Sequence, residues 1–205
     1  MRVGIAGGHG KVVRRLTQLL HNRGDHTLSL DLESASEEHI AAALGSSTDA
    51  VVLAAGAGPG SEPERKWTVD YGAAVKLIAA AEATGTDRYV MLSSIGAADA
   101  ELMGSGLEYT IVRPTLMSDD PGTGRVHIVD HVDEDARVSR DDLAAVLAAA
   151  LHHRRTGEDA RVSRDDVAAV LAATLHHRET VQRILEVGPG DVPIDEAVAT
   201  VALTD

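Results

Sequence analysis

The stretch MRVGIAGGHGKVVRRLTQLLHNRG, Met1 to Gly24, carries in order a short apolar run, a glycine cluster and a helical pattern. Arg2 to Ala6 has the length and composition of a buried strand. From Lys11 to Arg23, Val12, Leu16, Leu19 and Leu20 recur at helical spacing, and Gly24 closes the segment. Gly7, Gly8 and Gly10 stand at the joint. Glycine there permits a tight turn and lets bare backbone approach a ligand, while the helix N-terminus carries partial positive charge. Together these suit the pyrophosphate of a dinucleotide. In a GxxGxxG reading the third position is Val13, where a glycine would serve close helix-strand packing, so the seat of the helix is the part expected to change.

Strand and helix signals alternate onward from this unit. HTLSL (His26 to Leu30) reads as a strand, and SASEEHIAAAL (Ser34 to Leu44) as a helix capped by Ser34, with Glu37 three residues on. AVVLAAG (Ala50 to Gly56) is a strand, and a Gly/Pro/Ser loop then leads to a long helix from about Glu64 to Thr84. RYVMLSS (Arg88 to Ser94) is a fourth strand. IGAADAELMGSG is too short and glycine-rich for a full helix before the strand LEYTIVRP (Leu107 to Pro114). RVHIVDHV and RILEVG (Arg183 to Gly188) are further strands, ahead of a short helix from Ile194. The pattern predicts an α/β fold, a Rossmann-like doubly wound parallel sheet, in a single domain over residues 1–205.

Composition agrees and narrows the partners. With 44% hydrophobic residues, only 2% aromatic and no Phe, the core must be built from small aliphatic side chains. A formal net charge of -13 argues against direct contact with nucleic acid or an anionic membrane. No cysteine is present, which excludes thiol catalysis and Cys-ligated zinc. MRVGIAGG lacks a signal-peptide core and no stretch is long enough to span a membrane, so a cytoplasmic protein is expected.

Asp31 follows the second strand about 20 residues after the glycine turn, where a carboxylate would bond a ribose 2'-hydroxyl and repel a 2'-phosphate. No Arg or Lys lies between Gly24 and Glu64. This favours NAD over NADP, against the alternative that Asp31 merely starts the next turn. Metal ligation is not expected. His152/His153 and His176/His177 are adjacent pairs that diverge on a helix, His127 and His131 are far apart on a strand, and no third ligand is suitably spaced. Lys76 could reach a phosphate or lie exposed, and Trp67 could be core or flank a cleft.

In this order GGHGKV, DLESAS, AAGAGPGS, YVMLSSIGA, LEYTIVRP, DDPGTGRV, SRDDVAAVL and GDVPIDEAV resemble the atypical short-chain dehydrogenase/reductase family. The group most resembled is the NAD(P)H-binding NmrA-like proteins, described as NAD-dependent epimerase/dehydratase-like. The resemblance implies that Gly7, Gly8, His9, Gly10, Lys11 and Val12 cradle the pyrophosphate. Asp31 and Leu32 would lie against the adenine, with Ala54, Ala55 and Gly56 on the adenosine side. Ser93 and Ser94 would face the nicotinamide as catalytic hydroxyls, with Pro114 and Thr115 closing that end. The chain is shortened relative to the family. A strand and helix near Leu30 and Asp31 are missing, and so is a long helix between SSIGA and GSGLEYT that in many members bears YxxxK. Tyr71, Tyr89 and Tyr109 have no Lys four residues on. Asp99, Asp119 and Asp120 are candidate replacements for the missing proton donor, weighed against solvated loop positions.

Finally, DARVSRDDLAAVLAAALHHRRT (Asp135 to Thr156) recurs as DARVSRDDVAAVLAATLHHRET (Asp159 to Thr180), within a tandem duplication of 133–156 and 157–180. Ser139 or Ser163 caps a helix, with Asp142 or Asp166 three residues on. Leu143, Val146, Leu147, Ala150 and Leu151 form the apolar stripe of the first copy. The resemblance provides one slot for such a helix, so the surplus copy would cover the gap left by the missing helices, its twin or a second subunit of a homodimer. Three functions remain open: an oxidoreductase or epimerase-like enzyme acting on a small molecule, a non-catalytic NAD(P)-binding redox sensor, and a scaffold that has lost nucleotide.

Overall fold

The computed structural model describes residues 1–7, 10–55, 62, 70–93, 97–129, 136–152 and 182–201. The elements are β1 (Arg2–Ala6), α1 (Lys11–Asn22), β2 (His26–Leu30), α2 (Glu37–Leu44), β3 (Ala50–Leu53), α3 (Gly72–Thr84), β4 (Arg88–Leu92), α4 (Ala97–Gly104) and β5 (Glu108–Pro114). There follow β6 (Leu116–Ser118), β7 (Arg125–Val129), β8 (Arg137–Ser139), α5 (Arg140–His152), β9 (Arg183–Pro189), β10 (Val192–Pro193) and α6 (Ile194–Thr200). Eight strands form one sheet in the order β10-β7-β9-β5-β4-β3-β1-β2, and β6 pairs with β8 apart from it. From β2 to β9 every pairing is parallel, while β7 runs antiparallel to β9 and β10 to β7.

Period-two alternation sends successive side chains to opposite faces. On one face Val3, Ile5, Val52, Val90, Val112 and Leu185 pack with Leu16 and Leu20 of α1, Leu143 and Leu147 of α5, and Val198 of α6. On the other, Val51, Leu53, Tyr89, Met91 and Ile111 pack with Ile40 and Leu44 of α2, Leu77 of α3 and Leu102 of α4. The sheet is therefore doubly wound, as the alternation predicts. Its leading strands run 2-1-3-4-5 with β2 at the edge, so among the described residues no strand lies outside β2 as in the common dinucleotide order 3-2-1-4-5-6. The order reverses between β1 and β3, which puts the crevice for a ligand at their carboxyl ends.

Two local expectations change. Ser36, not Ser34, caps α2, accepting from the His39 N–H at 3.4 Å, because Asp31 draws Ser34 into its own turn. Within the glycine-rich IGAADAELMGSG, AADAELMG forms the two-turn helix α4 after all, held by the fully buried Leu102 and by Asp99, which is only 4% exposed.

The first copy of the repeat is α5, with its N-cap as expected: Ser139 Oγ accepts from the Asp142 N–H at 3.0 Å and donates to its carboxylate at 3.0 Å. Leu143, Val146, Leu147, Ala150 and Leu151 are fully buried. The second copy, the contact expected of it and Trp67 lie outside the described residues.

Candidate functional site

Gly7 follows β1 with φ +133°, a conformation rare for any side chain. A Cβ there would stand 2.7 Å from both the carbonyl carbon and oxygen of Ala54 and 3.0 Å from the Ala55 nitrogen. The turn closes by a 3.1 Å bond from the Gly10 N–H to the Gly7 carbonyl, and Gly10 is the N-cap of α1. Among the described residues no side chain caps α1, and its first turn holds no acidic residue. Its positive end is thus left for an anion at the strand-order reversal. Gly8, His9 and Gly56 lie outside the described residues. Val12 and Val13, each 6% exposed, are part of the core, so the missing third glycine is replaced by a packed valine.

Lys11, at the first helical position, pairs with Asp119, which also receives Arg140 at 3.1 Å and Arg15 at 3.7 Å. The hydrogen bond from Lys11 holds the Asp119 carboxyl below its ordinary range, with the guanidinium charges adding to it. Asp119 is therefore an ion-pair partner tying the loop after β6 to α1. Asp120 is exposed, and its N–H donates to Ser118 Oγ at 3.4 Å.

On the adenosine side Ala54 and Ala55 follow β3, with the Ala54 N–H donating to the Ala6 carbonyl at 2.8 Å. Asp31 closes a turn: it accepts from Ser34 Oγ at 2.7 Å, from the Glu33 N–H at 3.0 Å and from the Ser34 N–H at 3.3 Å. The Ser34 hydroxyl is the main cause that lowers its pKa. A carboxylate has about four acceptor sites, so this turn and a ligand hydroxyl are compatible. Leu32 is 7% exposed and packs into the α2/α3 core. Lys76 reaches across from α3 to donate to the carbonyls of Leu32 and Ala35 at 3.1 and 3.2 Å, clamping this turn.

At the other end, Ser93 follows β4 and its hydroxyl donates to Asp99 of α4 at 2.5 Å. The other Asp99 oxygen accepts from Arg113 Nη2 at 2.8 Å and Nε at 3.1 Å. Arg113 also lies 3.8 Å from Glu186 of β9. Three strands and one helix thus join in a Ser93–Asp99–Arg113–Glu186 chain. Asp99 is buried in it and does not sit on a solvated loop. Pro114 ends β5, and Thr115 follows with its N–H bonded to the Val187 carbonyl at 2.9 Å and its buried hydroxyl without a partner among the described residues. Ser94 lies outside the described residues. Arg113 was missed from the sequence, although an arginine ending an otherwise apolar strand is a signal that could have found it.

Neither Tyr71 nor Tyr89 supplies an activated phenol. Tyr71 donates to Glu101 at 2.7 Å, which raises its pKa, and complete burial raises that of Tyr89. Among the described residues no group of three or more His, Asp or Glu side chains is placed to hold a metal ion, and no helix is long and apolar enough to cross a membrane.

The family described as NAD(P)H-binding matches residues 12–102 and 97–154, beginning just after the glycine turn. The uncharacterised sugar epimerase YhfK of Bacillus subtilis is 31% identical over 196 residues, covering 76% of this chain and 90% of its own. The UPF0659 protein YMR090W of Saccharomyces cerevisiae is 29% identical, with 75% and 88% covered. A Bacillus halodurans protein assigned to the NAD-dependent epimerase/dehydratases superposes with a TM-score of 0.76 at 29% identity, over 97% of this chain and 98% of that one. A Veillonella parvula short-chain dehydrogenase/reductase in complex with NADP shares the fold, at TM-score 0.61 and 14% identity, over 95% and 97% of the two chains. The glycine turn at the strand-order reversal, the matched residues and these relatives together show that the chain belongs to the NAD(P)H-binding family.

Proposed function

We propose that this protein is a cytoplasmic oxidoreductase or epimerase-like enzyme acting on a small molecule, with NAD as its preferred cofactor. The observation that carries the cofactor assignment is Gly7: its positive φ and the Ala54 backbone where a Cβ would sit make a cradle only bare backbone can form. Gly7 and Gly10 would let the backbone close on the pyrophosphate, the uncapped end of α1 would face its charge, and Asp31 at the end of β2 would bond a ribose hydroxyl and disfavour a 2'-phosphate. Bound there, the nicotinamide supplies or accepts a hydride.

The residues for the accompanying proton are Ser93 and Asp99. The Ser93 hydroxyl already points its proton at Asp99. As the substrate O–H proton passes to Ser93 Oγ, the serine proton passes to Asp99, and the reverse transfer serves reduction. Arg113 acts through Asp99, fixing the carboxylate at two nitrogens. The test is titration with NADH and NADPH, following nicotinamide emission and Trp67 quenching, then turnover across small carbonyl compounds and sugars. NADH should bind more tightly than NADPH, with turnover lost in Ser93→Ala. No binding of either at millimolar concentration would sink the proposal. A second reading, a non-catalytic redox sensor, is favoured by the lack of Lys four residues after any tyrosine. Binding without turnover would support it.

A further inference from the structure

We propose that the two copies of the repeat are interchangeable occupants of one helix seat, so that the chain folds in two registers 24 residues apart. The seat recognises the first copy through particular groups. Ser139 caps the helix; Arg140 meets Asp119; Asp141 pairs with Arg15 and accepts from the Gly122 N–H at 3.2 Å; Asp142 accepts from the Thr123 N–H at 2.9 Å and the Gly124 N–H at 2.7 Å. At the far end Arg88 donates to the Ala150 carbonyl at 2.9 Å, and His152 lies 2.6 Å from Asp25, which also holds the Met1 ammonium. The second copy offers Ser163, Arg164, Asp165, Asp166 and His176 at the same spacing, and Arg88 needs only a backbone carbonyl.

Chain connectivity permits both. With the first copy seated, seven residues join Val129 to Arg137 and thirty join His152 to Arg183. With the second seated, thirty-one residues would join Val129 to Arg161 and six would join His176 to Arg183. Six residues reach roughly 20 Å. The gap is shorter than that, because Arg88, bonded to Ala150 at the end of α5, also bonds Thr110 at 2.8 Å, and Thr110 pairs with Arg183. The shift moves the surplus copy from the connection between α5 and β9 to the connection between β7 and β8.

Two differences bias the balance. Leu143 and Ala150 are both fully buried, and the second copy has Val167 and Thr174 in their places. One smaller and one larger side chain disfavour the second register by roughly 10- to 1000-fold. The test uses the full-length chain. Leu171→Asp should leave thermal unfolding unchanged. Leu147→Asp should stay folded, with its unfolding temperature lowered to that of a chain deleted for residues 134–157, and the double variant should unfold. The absence of native cysteine allows a second measurement. An Arg15→Cys/Asp165→Cys disulfide should form within one chain at low yield and rise at least tenfold with Val167→Leu/Thr174→Ala. Unfolding of Leu147→Asp as complete as that of the double variant, or no disulfide in the Val167→Leu/Thr174→Ala background, would overturn the proposal.

Discussion

Replacing Gly7 by alanine probes the cofactor cradle and its cost separately. The backbone at φ +133° carries strain of about 1–3 kcal/mol for any side chain. The added methyl meets backbone rather than a flexible side-chain end: the Ala54 carbonyl carbon and oxygen at 2.7 Å. Ala54 is itself bonded to Ala6, so relief requires the end of β3 to part from β1, an overpacking cost of about 1–3 kcal/mol more. The sum, roughly 2–6 kcal/mol, is a large part of a domain's usual ~5–15 kcal/mol. Gly85→Ala is the matched control. Its φ is +69° and a Cβ there meets nothing within 4 Å, so only a left-handed penalty of about 1–2 kcal/mol applies. Urea unfolding gives the stabilities, and fluorescence titration of folded protein gives NADH affinity, which should fall at least about tenfold in Gly7→Ala and stay level in Gly85→Ala. Gly7→Ala as stable as the control, and binding NADH like the parent, would refute the cradle.

Three further outcomes follow from the described contacts. Asp99→Asn should lower turnover at least about 100-fold with NADH affinity nearly unchanged, as expected of a group that handles a proton and not the cofactor. Turnover equal to the parent's would remove Asp99 from the reaction. Burial opposes ionisation of Asp25, but the Met1 ammonium and His152 outweigh it and hold its carboxyl below the ordinary 3.8. Because the folded value is depressed, the stability it adds is complete above 3.8 and is lost as pH falls through the lower folded value. Asp25→Asn should therefore cost stability at about pH 6 and progressively less on acidification below about pH 4, measured by urea unfolding. Arg88→Met leaves the carbonyls of Glu108 and Ala150 and the hydroxyl of Thr110 without this buried donor, and should cost about 3 kcal/mol by the same assay.

The amino-acid sequence by itself determined the alternation of strand and helix, the glycine turn after β1 and the cap and stripe of α5. Each of these is a local matter of side-chain periodicity or backbone freedom within a few residues. Where local signals competed, it fell short: Ser34 and Ser36 both offer a cap, and only the turn closed by Asp31 decides between them. AADAELMG lacks a strong helical stripe, and it becomes a helix through burial of Leu102 and the pairing of Asp99 with Arg113. The tertiary structure alone decided which charges meet. Asp119 reaches Lys11 and Arg140, and Arg113 joins Asp99 to Glu186, because a parallel sheet aligns strand ends that are distant along the chain. Such pairings leave no periodic trace. A carboxylate therefore reads alike from sequence whether it faces solvent or, like Asp99, is buried against a serine and an arginine.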